Sequence, residues 1–244
     1  MAGWFFDPDK YLERIGLHEA VEKSEMGLRA LHRAQILAIP FENFDVMLGR
    51  IISLEPSVLY DKLINRRRGG YCFELNGLFL VVLKAFGFSA RPLLARVHVH
   101  GEPRGRTHQV SLVRIGEKNL LADVGFGASH LLSPIPIEIG SSMVSGGRSF
   151  RLANAGNYGT MLQTLKNDTW KDLYSFDLSH VFPGDIFNGN YYSSTHPDAF
   201  FKSSWMASLP LENGKVSLVD NMLRIVSGGE EKVVELPGGR GYLE

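Results

Sequence analysis

Apolar residues recur near every third or fourth position through the first third of the chain, and from Ala90 onward they alternate with polar ones. Asp9 to Ile15 reads as a short amphipathic helix. Ser24-Glu25-Met26-Gly27 has the form of a helix start, followed by Leu28, Leu31, Ile36 and Leu37 near helical spacing. Pro40 ends that pattern, and IPFENFD reads as a loop rich in aromatic and acidic groups. Pro56 suits the first turn of another helix, where its missing N–H costs little, and Val58, Leu59, Leu63 and Ile64 form the expected buried stripe. After Gly69-Gly70 a new helix opens near Cys72. Leu75, Leu78, Phe79, Val82 and Phe86 supply its buried face, and Gly87 is placed to cap it.

The runs PLLARVHV, THQVSLVRI, NLLADVGF, SFRLAN, GTMLQTL and DLYSFDL are separated by Gly, Asn and Pro, and they predict an antiparallel sheet or small barrel. Past Pro183 the pattern is mixed. KVSLVDNMLRIVSGGEEKVVEL reads as strands jointed at Gly228-Gly229, the last running toward Pro237. Helices followed by an antiparallel sheet define an α+β fold class, and 244 residues suit two packed units with a third, smaller one.

Acidic and basic residues balance at 26 each, which gives no electrostatic footprint for nucleic acid and no basic patch for a membrane surface. Arg66-Arg67-Arg68 reads as a solvated or locally paired cluster. The apolar run Leu78 to Leu83 is far below the roughly twenty residues that span a bilayer. The N-terminus shows no basic leader with a long apolar stretch, and a single cysteine excludes an intrachain disulfide. A reducing, cytoplasmic location is the expectation.

That cysteine, Cys72, opens a helix after two glycines. A thiol acts as a nucleophile in its anionic form, which unpaired N–H groups at a helix start and a neighbouring imidazolium both favour. The glycine pair allows a reacting carbonyl to come close, and the Cys72 amide could face a developing oxyanion. The competing reading is a small buried hydrophobe. THQVSLVRI and NLLADVGF form a hairpin around Gly116-Glu117-Lys118. With His108 directly opposite Asp123, Val110 faces Leu121 and Leu112 faces Asn119, so imidazole and carboxylate share one face. A carboxylate on one ring nitrogen fixes the tautomer and leaves the other for the thiol. A satisfied polar pair is the plainer alternative.

Other motifs carry less. His98 and His100 share a strand face, but no second cysteine or HExxH pattern accompanies them, so no metal site is expected. VGFGAS has His130 where a dinucleotide fingerprint needs its third glycine. Glu74 reads as a structural residue of the helix start. Phe41, Phe44, Phe126 and Phe200 are core residues singly, and together could line an aromatic pocket.

Taken together, RRRGGYCFELNGLF, IPFENFD, RTHQVSLV, LADVGFG and STHP resemble the arylamine N-acetyltransferases, particularly the bacterial ones, from near the N-terminus to about Pro237. The resemblance implies a helical bundle (1–86), an antiparallel β-barrel (87–185) and an α/β lid (186–244), on a core like that of cysteine proteinases and transglutaminases. It implies ping-pong transfer from acetyl-CoA to an arylamine, arylhydrazine or N-hydroxyarylamine. Cys72 matches the family's acetylated nucleophile, His108 its base and Asp123 its orienting carboxylate. Arg68 matches an arginine that braces the active-site loop, with Glu42 or Asn43 as its partner. Phe41 and Phe126 correspond to acceptor-pocket aromatics, and Gly125, Phe126, Gly127, Thr195 and Phe200 to coenzyme A contacts. Family members usually continue past the stretch ELPGGRGYLE into a further helix. A less protected acetyl-enzyme, with measurable hydrolysis, is therefore expected. Two rivals remain open: a transglutaminase-like amide hydrolase that does not use coenzyme A, and a catalytically silent binding domain of the same fold.

Overall fold

The structure, a computed structural model, describes residues 6–99, 101–103, 105–127 and 129–237. His100 and the tail from Gly238 lie outside the described residues. The N-terminal elements follow their sequence signals closely. Helix α1 (Pro8–Ile15) starts where the Asp7 side chain accepts the Lys10 N–H at 3.1 Å, and it ends at Gly16 with φ 68°. Helix α2 (Glu25–Ala38) starts at Ser24, whose Oγ accepts the Gly27 N–H at 3.1 Å.

The stretch expected as a loop contains strand β1 (Phe41–Glu42) and the short helix α3 (Phe44–Met47). The partner of β1 lies far along the chain, out of reach of local patterns. Helix α4 (Pro56–Tyr60) passes into a π-helical turn at Asp61–Asn65. The wider turn shifts the phase of the buried stripe, so Val58 is 43% exposed while Lys62, Leu63 and Ile64 are all buried. Helix α5 (Cys72–Ala85) is buried on most of its circumference and ends in a left-handed Gly87, φ 77°.

An eight-stranded, nearly closed antiparallel sheet follows. Its strands are β2 (Ser89–Val97), β3 (His108–Ile115), β4 (Lys118–Ala122), β5 (Ile135–Pro136), β6 (Ser142–Ser145), β7 (Arg148–Asn154), β8 (Thr160–Lys166) and β9 (Thr169–Phe176). They run β5-β4-β3-β2-β9-β8-β7-β6 across the sheet. Every residue of β3 from His108 to Val113 is buried. One face of that strand, with Val110 and Leu112, joins the barrel interior, while Val113 joins the core built around α5. The strand is thus sandwiched between two apolar clusters.

The β3–β4 hairpin differs from the expected register. Leu112 pairs with Leu121 and Ile115 with Lys118, leaving Gly116-Glu117 as a two-residue turn. Gly116 has φ 59°, a conformation that the expected register would have asked of Ile115 next to it. One further step of the ladder would set Asp123 across from Val110, diagonal to His108. The shift is by an even number of positions, so both side chains keep a common face.

Helix α6 (Pro183–Thr195) leads to a second antiparallel sheet ordered β1-β10-β11-β12-β13, where β10 is Met206–Leu211, β11 Gly214–Val219, β12 Met222–Ser227 and β13 Glu230–Glu235. The Gly228-Gly229 joint falls between β12 and β13. Phe41 pairs with Ser208 and Glu42 with Ala207, so the N-terminal segment supplies the edge strand of the C-terminal sheet. Asn43 fastens this seam. Its Nδ2 donates to the carbonyls of Phe201 and Ser204, each at 2.8 Å, and its Oδ1 accepts the Met206 N–H at 2.7 Å. Asn43→Ala removes three hydrogen bonds to partly buried backbone groups, and a loss of about 2–4 kcal/mol is expected. Thermal melting should show the drop, and limited proteolysis should cut first between α6 and β10. An unchanged melting curve would deny Asn43 this role.

Candidate active site

The loop that delivers Cys72 is held by buried charges. Lys62 Nζ lies 2.7 Å from Asp45 Oδ2 and 2.7 Å from Glu74 Oε1, with Glu42 Oε1 at 3.8 Å. Arg68 donates to Glu42 at 3.2 Å and to Asp45 at 3.1 Å. Burial works against the Asp45 charge, but Lys62 and Arg68 outweigh it and hold the carboxyl at about 2. For Glu74 burial prevails over Lys62, and its carboxyl is raised. Glu74 also accepts the Tyr71 N–H at 3.1 Å, one residue before Cys72. Of the two partners expected for Arg68, the structure selects Glu42, with Asp45 beside it. Asn43 serves the seam instead.

Gly69 and Gly70 are required by this packing more than by backbone angle. A Cβ on Gly69 would stand 2.4 Å from the Pro40 carbonyl oxygen and 2.7 Å from the Glu42 side chain; one on Gly70 would meet Glu74 Oε2 at 2.9 Å. The space expected for a reacting carbonyl is occupied by the loop's own supports. The sequence pattern assigns no role to Lys62, although its spacing of three from the buried Leu59 puts a cation on the apolar stripe.

Cys72 is 2% exposed and stands at the first position of α5, where its backbone N–H has no partner within the helix. Its Sγ lies 3.8 Å from the Thr107 carbonyl oxygen. His108 opens β3 directly after Thr107, and its Nε2–H donates to Asp123 Oδ2 at 2.8 Å. That leaves Nδ1 as the ring nitrogen for the cysteine, with which the imidazole interacts. Burial disfavours charge on His108, yet the Asp123 carboxylate and then Cys72 outweigh it and raise the imidazole to about 10. Burial likewise opposes the Asp123 charge, and His108, Asn76 and the Gly125 N–H together hold it at about 2.

Three further residues complete the environment of Asp123. Asn76 Nδ2 donates to Asp123 Oδ1 at 2.9 Å, while its Oδ1 accepts the Val124 N–H at 3.0 Å. His32 Nε2 accepts the Asp123 N–H at 3.1 Å, and burial pushes this imidazole down to about 4, which keeps it neutral for that task. Tyr174 packs its ring 5.0 Å from that of His108, and its buried hydroxyl faces Asp123 without a well-formed hydrogen bond. Spacing could have flagged the first two. Asn76 lies one turn beyond Cys72, and His32 falls four residues after Leu28 on the α2 core face.

A cavity of about 250 Å³ opens at Cys72 and His108. Phe41, Gly125, Phe126, Gly127 and Phe200 line it, and so do Met206, Ser208 and Lys215 from the C-terminal sheet. Gly125 and Gly127 permit close passage. A Cβ on Gly125 would lie 2.6 Å from Asn76 Nδ2 and 3.0 Å from Cys72 Cα, and one on Gly127 would strike the Phe41 ring at 2.7 Å. Thr195 is not part of this lining. It ends α6 in an exposed position, its hydroxyl spent on the Tyr191 carbonyl at 2.5 Å. Among the described residues, no group of three His, Cys, Asp or Glu side chains could hold a metal ion, and His98 Nε2 pairs with Ser175 Oγ at 2.9 Å. No helix of the described residues is long and apolar enough to cross a membrane.

Known proteins resemble this chain in sequence and in fold. Residues 26–237 match the family model described as N-acetyltransferase. The arylamine N-acetyltransferase / N-hydroxyarylamine O-acetyltransferase of Salmonella typhimurium is 37% identical over 215 residues, covering 86% of this chain and 76% of that protein. The solved arylamine N-acetyltransferase of Salmonella typhimurium superposes with a TM-score of 0.92 at 33% identity, over 97% of this chain and 87% of that one. The Mycobacterium marinum arylamine N-acetyltransferase in complex with CoA superposes with a TM-score of 0.89 at 32% identity, over 97% and 89%. With a family match across most of its length and relatives this similar over nearly the whole fold, the chain belongs to the arylamine N-acetyltransferases.

Proposed function

We propose that the chain transfers acetyl groups from acetyl-CoA to arylamine nitrogen in two half-reactions that both pass through Cys72. The carrying observation is that Cys72 and His108 line one small, mostly apolar cavity, with the Asp123 carboxylate bonded to the imidazole behind it. Donor and acceptor that both react at Cys72 Sγ use it in turn, as a ping-pong sequence requires.

In the first half-reaction Cys72 Sγ attacks the thioester carbonyl of the donor, the carbon–sulfur bond to coenzyme A breaks, and acetyl-cysteine remains. His108, as imidazolium, supports the sulfur anion and supplies the proton taken by the departing thiolate. The Cys72 N–H at the start of α5 is the chain's candidate donor to the developing oxyanion. In the second half-reaction the amine nitrogen attacks the acetyl carbon, His108 accepts its proton, and the Cys72 thiolate leaves. Asp123 keeps the ring oriented throughout. An aniline nitrogen is unprotonated near neutrality, so it enters an apolar cavity without shedding a proton first.

Three parts compose the working unit in this reading: a helical part to residue 86 carrying Cys72, a barrel at 87–185 carrying His108 and Asp123, and an α/β lid at 186–244. Phe41 and Phe126 form the acceptor wall, with Gly125, Gly127 and Phe200 beside the donor path. A reducing cytoplasm suits an enzyme whose only cysteine must stay free.

Intact-mass measurement tests the reading. Mixing with acetyl-CoA should add one acetyl group, and an arylamine should then remove it. Cys72→Ala should show neither event; acetylation of that variant would put the acceptor atom elsewhere. Asp123→Asn should slow acetylation on the order of 10³-fold or more, because the amide no longer accepts the imidazole N–H as a charge. A rate within tenfold of wild type, in a variant that melts normally, would remove Asp123 from the mechanism.

A further inference from the structure

We propose that Lys215 selects acceptors carrying an anionic ring substituent, a carboxylate in the simplest case; this rests on the acyl-transfer reading above. Lys215 stands on β11 and lines the same cavity as Cys72. It is the one lysine or arginine among the described lining residues, and no acidic side chain lines the cavity with it. Its ammonium donates to the Gly127 carbonyl at 3.3 Å, and among the described residues it forms no ion pair with a carboxylate. An ammonium has three donors, so this half-buried group has hydrogen-bonding capacity left over. Burial and then the nearby Arg148 press its pKa down to about 8, the mark of a cation that its surroundings do not neutralise.

The shape of the reaction tells which end of an acceptor meets it. The amine nitrogen must reach the acetyl group on Cys72, so a substituent on the far side of the ring points away from the sulfur. Most of the remaining wall, Phe126, Phe200 and Met206 included, offers a ring apolar contact, and its polar side chains Thr107, Ser208 and Ser217 are neutral hydroxyls. An anionic oxygen there would gain a charge-assisted hydrogen bond that a neutral substituent cannot. A phosphate of the donor carries the same chemistry, so the test must separate the two sources.

The measurement is kcat/KM for 4-aminobenzoate and for its methyl ester, each acceptor compared with itself across wild type, Lys215→Gln and Lys215→Arg. p-Nitrophenyl acetate serves as a donor without phosphate. The carboxylate should lose about 10- to 100-fold in Lys215→Gln, the range for one hydrogen bond to a charged group. The ester should change less than about twofold, and Lys215→Arg should keep most of the preference. Equal losses for both acceptors, or no loss for either, would overturn the proposal. So would slower acetylation by acetyl-CoA alone, with p-nitrophenyl acetate unaffected, since the ammonium would then belong to the donor phosphate. Wild type that turns over the ester but not the carboxylate sinks this proposal only, whereas wild type that turns over neither sinks the acyl-transfer reading with it.

Discussion

A carboxylate sealed from water is the constraint around which this molecule is arranged. Asp123 is 2% exposed, and an isolated anion at that depth would cost several kcal/mol. It is tolerated because each of its oxygens is spoken for: one by His108, the other by Asn76 and the Gly125 N–H. Satisfying it draws together α5, β3 and the segment after β4, and His32 of α2 holds its backbone. The charge it retains is what raises His108. On the proposed mechanism, reactivity at Cys72 is a consequence of how the core solves its own polar problem.

The second buried charge cluster has a different task. Lys62, Arg68, Glu42, Asp45 and Glu74 lie beneath the glycine pair and fix the backbone that leads into α5. Removing one member would strand its partners, which costs more than the cluster contributes as a whole. Position rather than stability is its product. The same segment gives up Phe41 and Glu42 as an edge strand to the C-terminal sheet, so one stretch of chain both braces the loop before Cys72 and walls the cavity beside it.

Local signals in the sequence were read well where the cause is local. Ser24 and Gly87 bound helices where the sequence pattern puts them, and alternation marks six of the eight barrel strands, β5 and β6 being the exceptions. The common face of His108 and Asp123 was legible because period-two alternation survives an even shift of register. What escaped depends on distant partners or altered periodicity. The two-residue β1 has no signal apart from Met206–Leu211, more than 150 residues away. The π turn leaves Val58 outside the buried stripe that a regular helix would have given it. His32 and Asn76 sat at readable spacings, but a polar residue on an apolar face does not announce which group it serves.

The central claim, that Asp123 keeps the imidazole of His108 charged beside Cys72, is open to direct observation. Nitrogen-15 NMR of histidine-labelled protein at pH 8 should show both ring nitrogens of His108 protonated, with the charge lost only as the pH climbs toward about 10. A neutral ring at pH 8, titrating near the ordinary value of 6.5, would contradict the account.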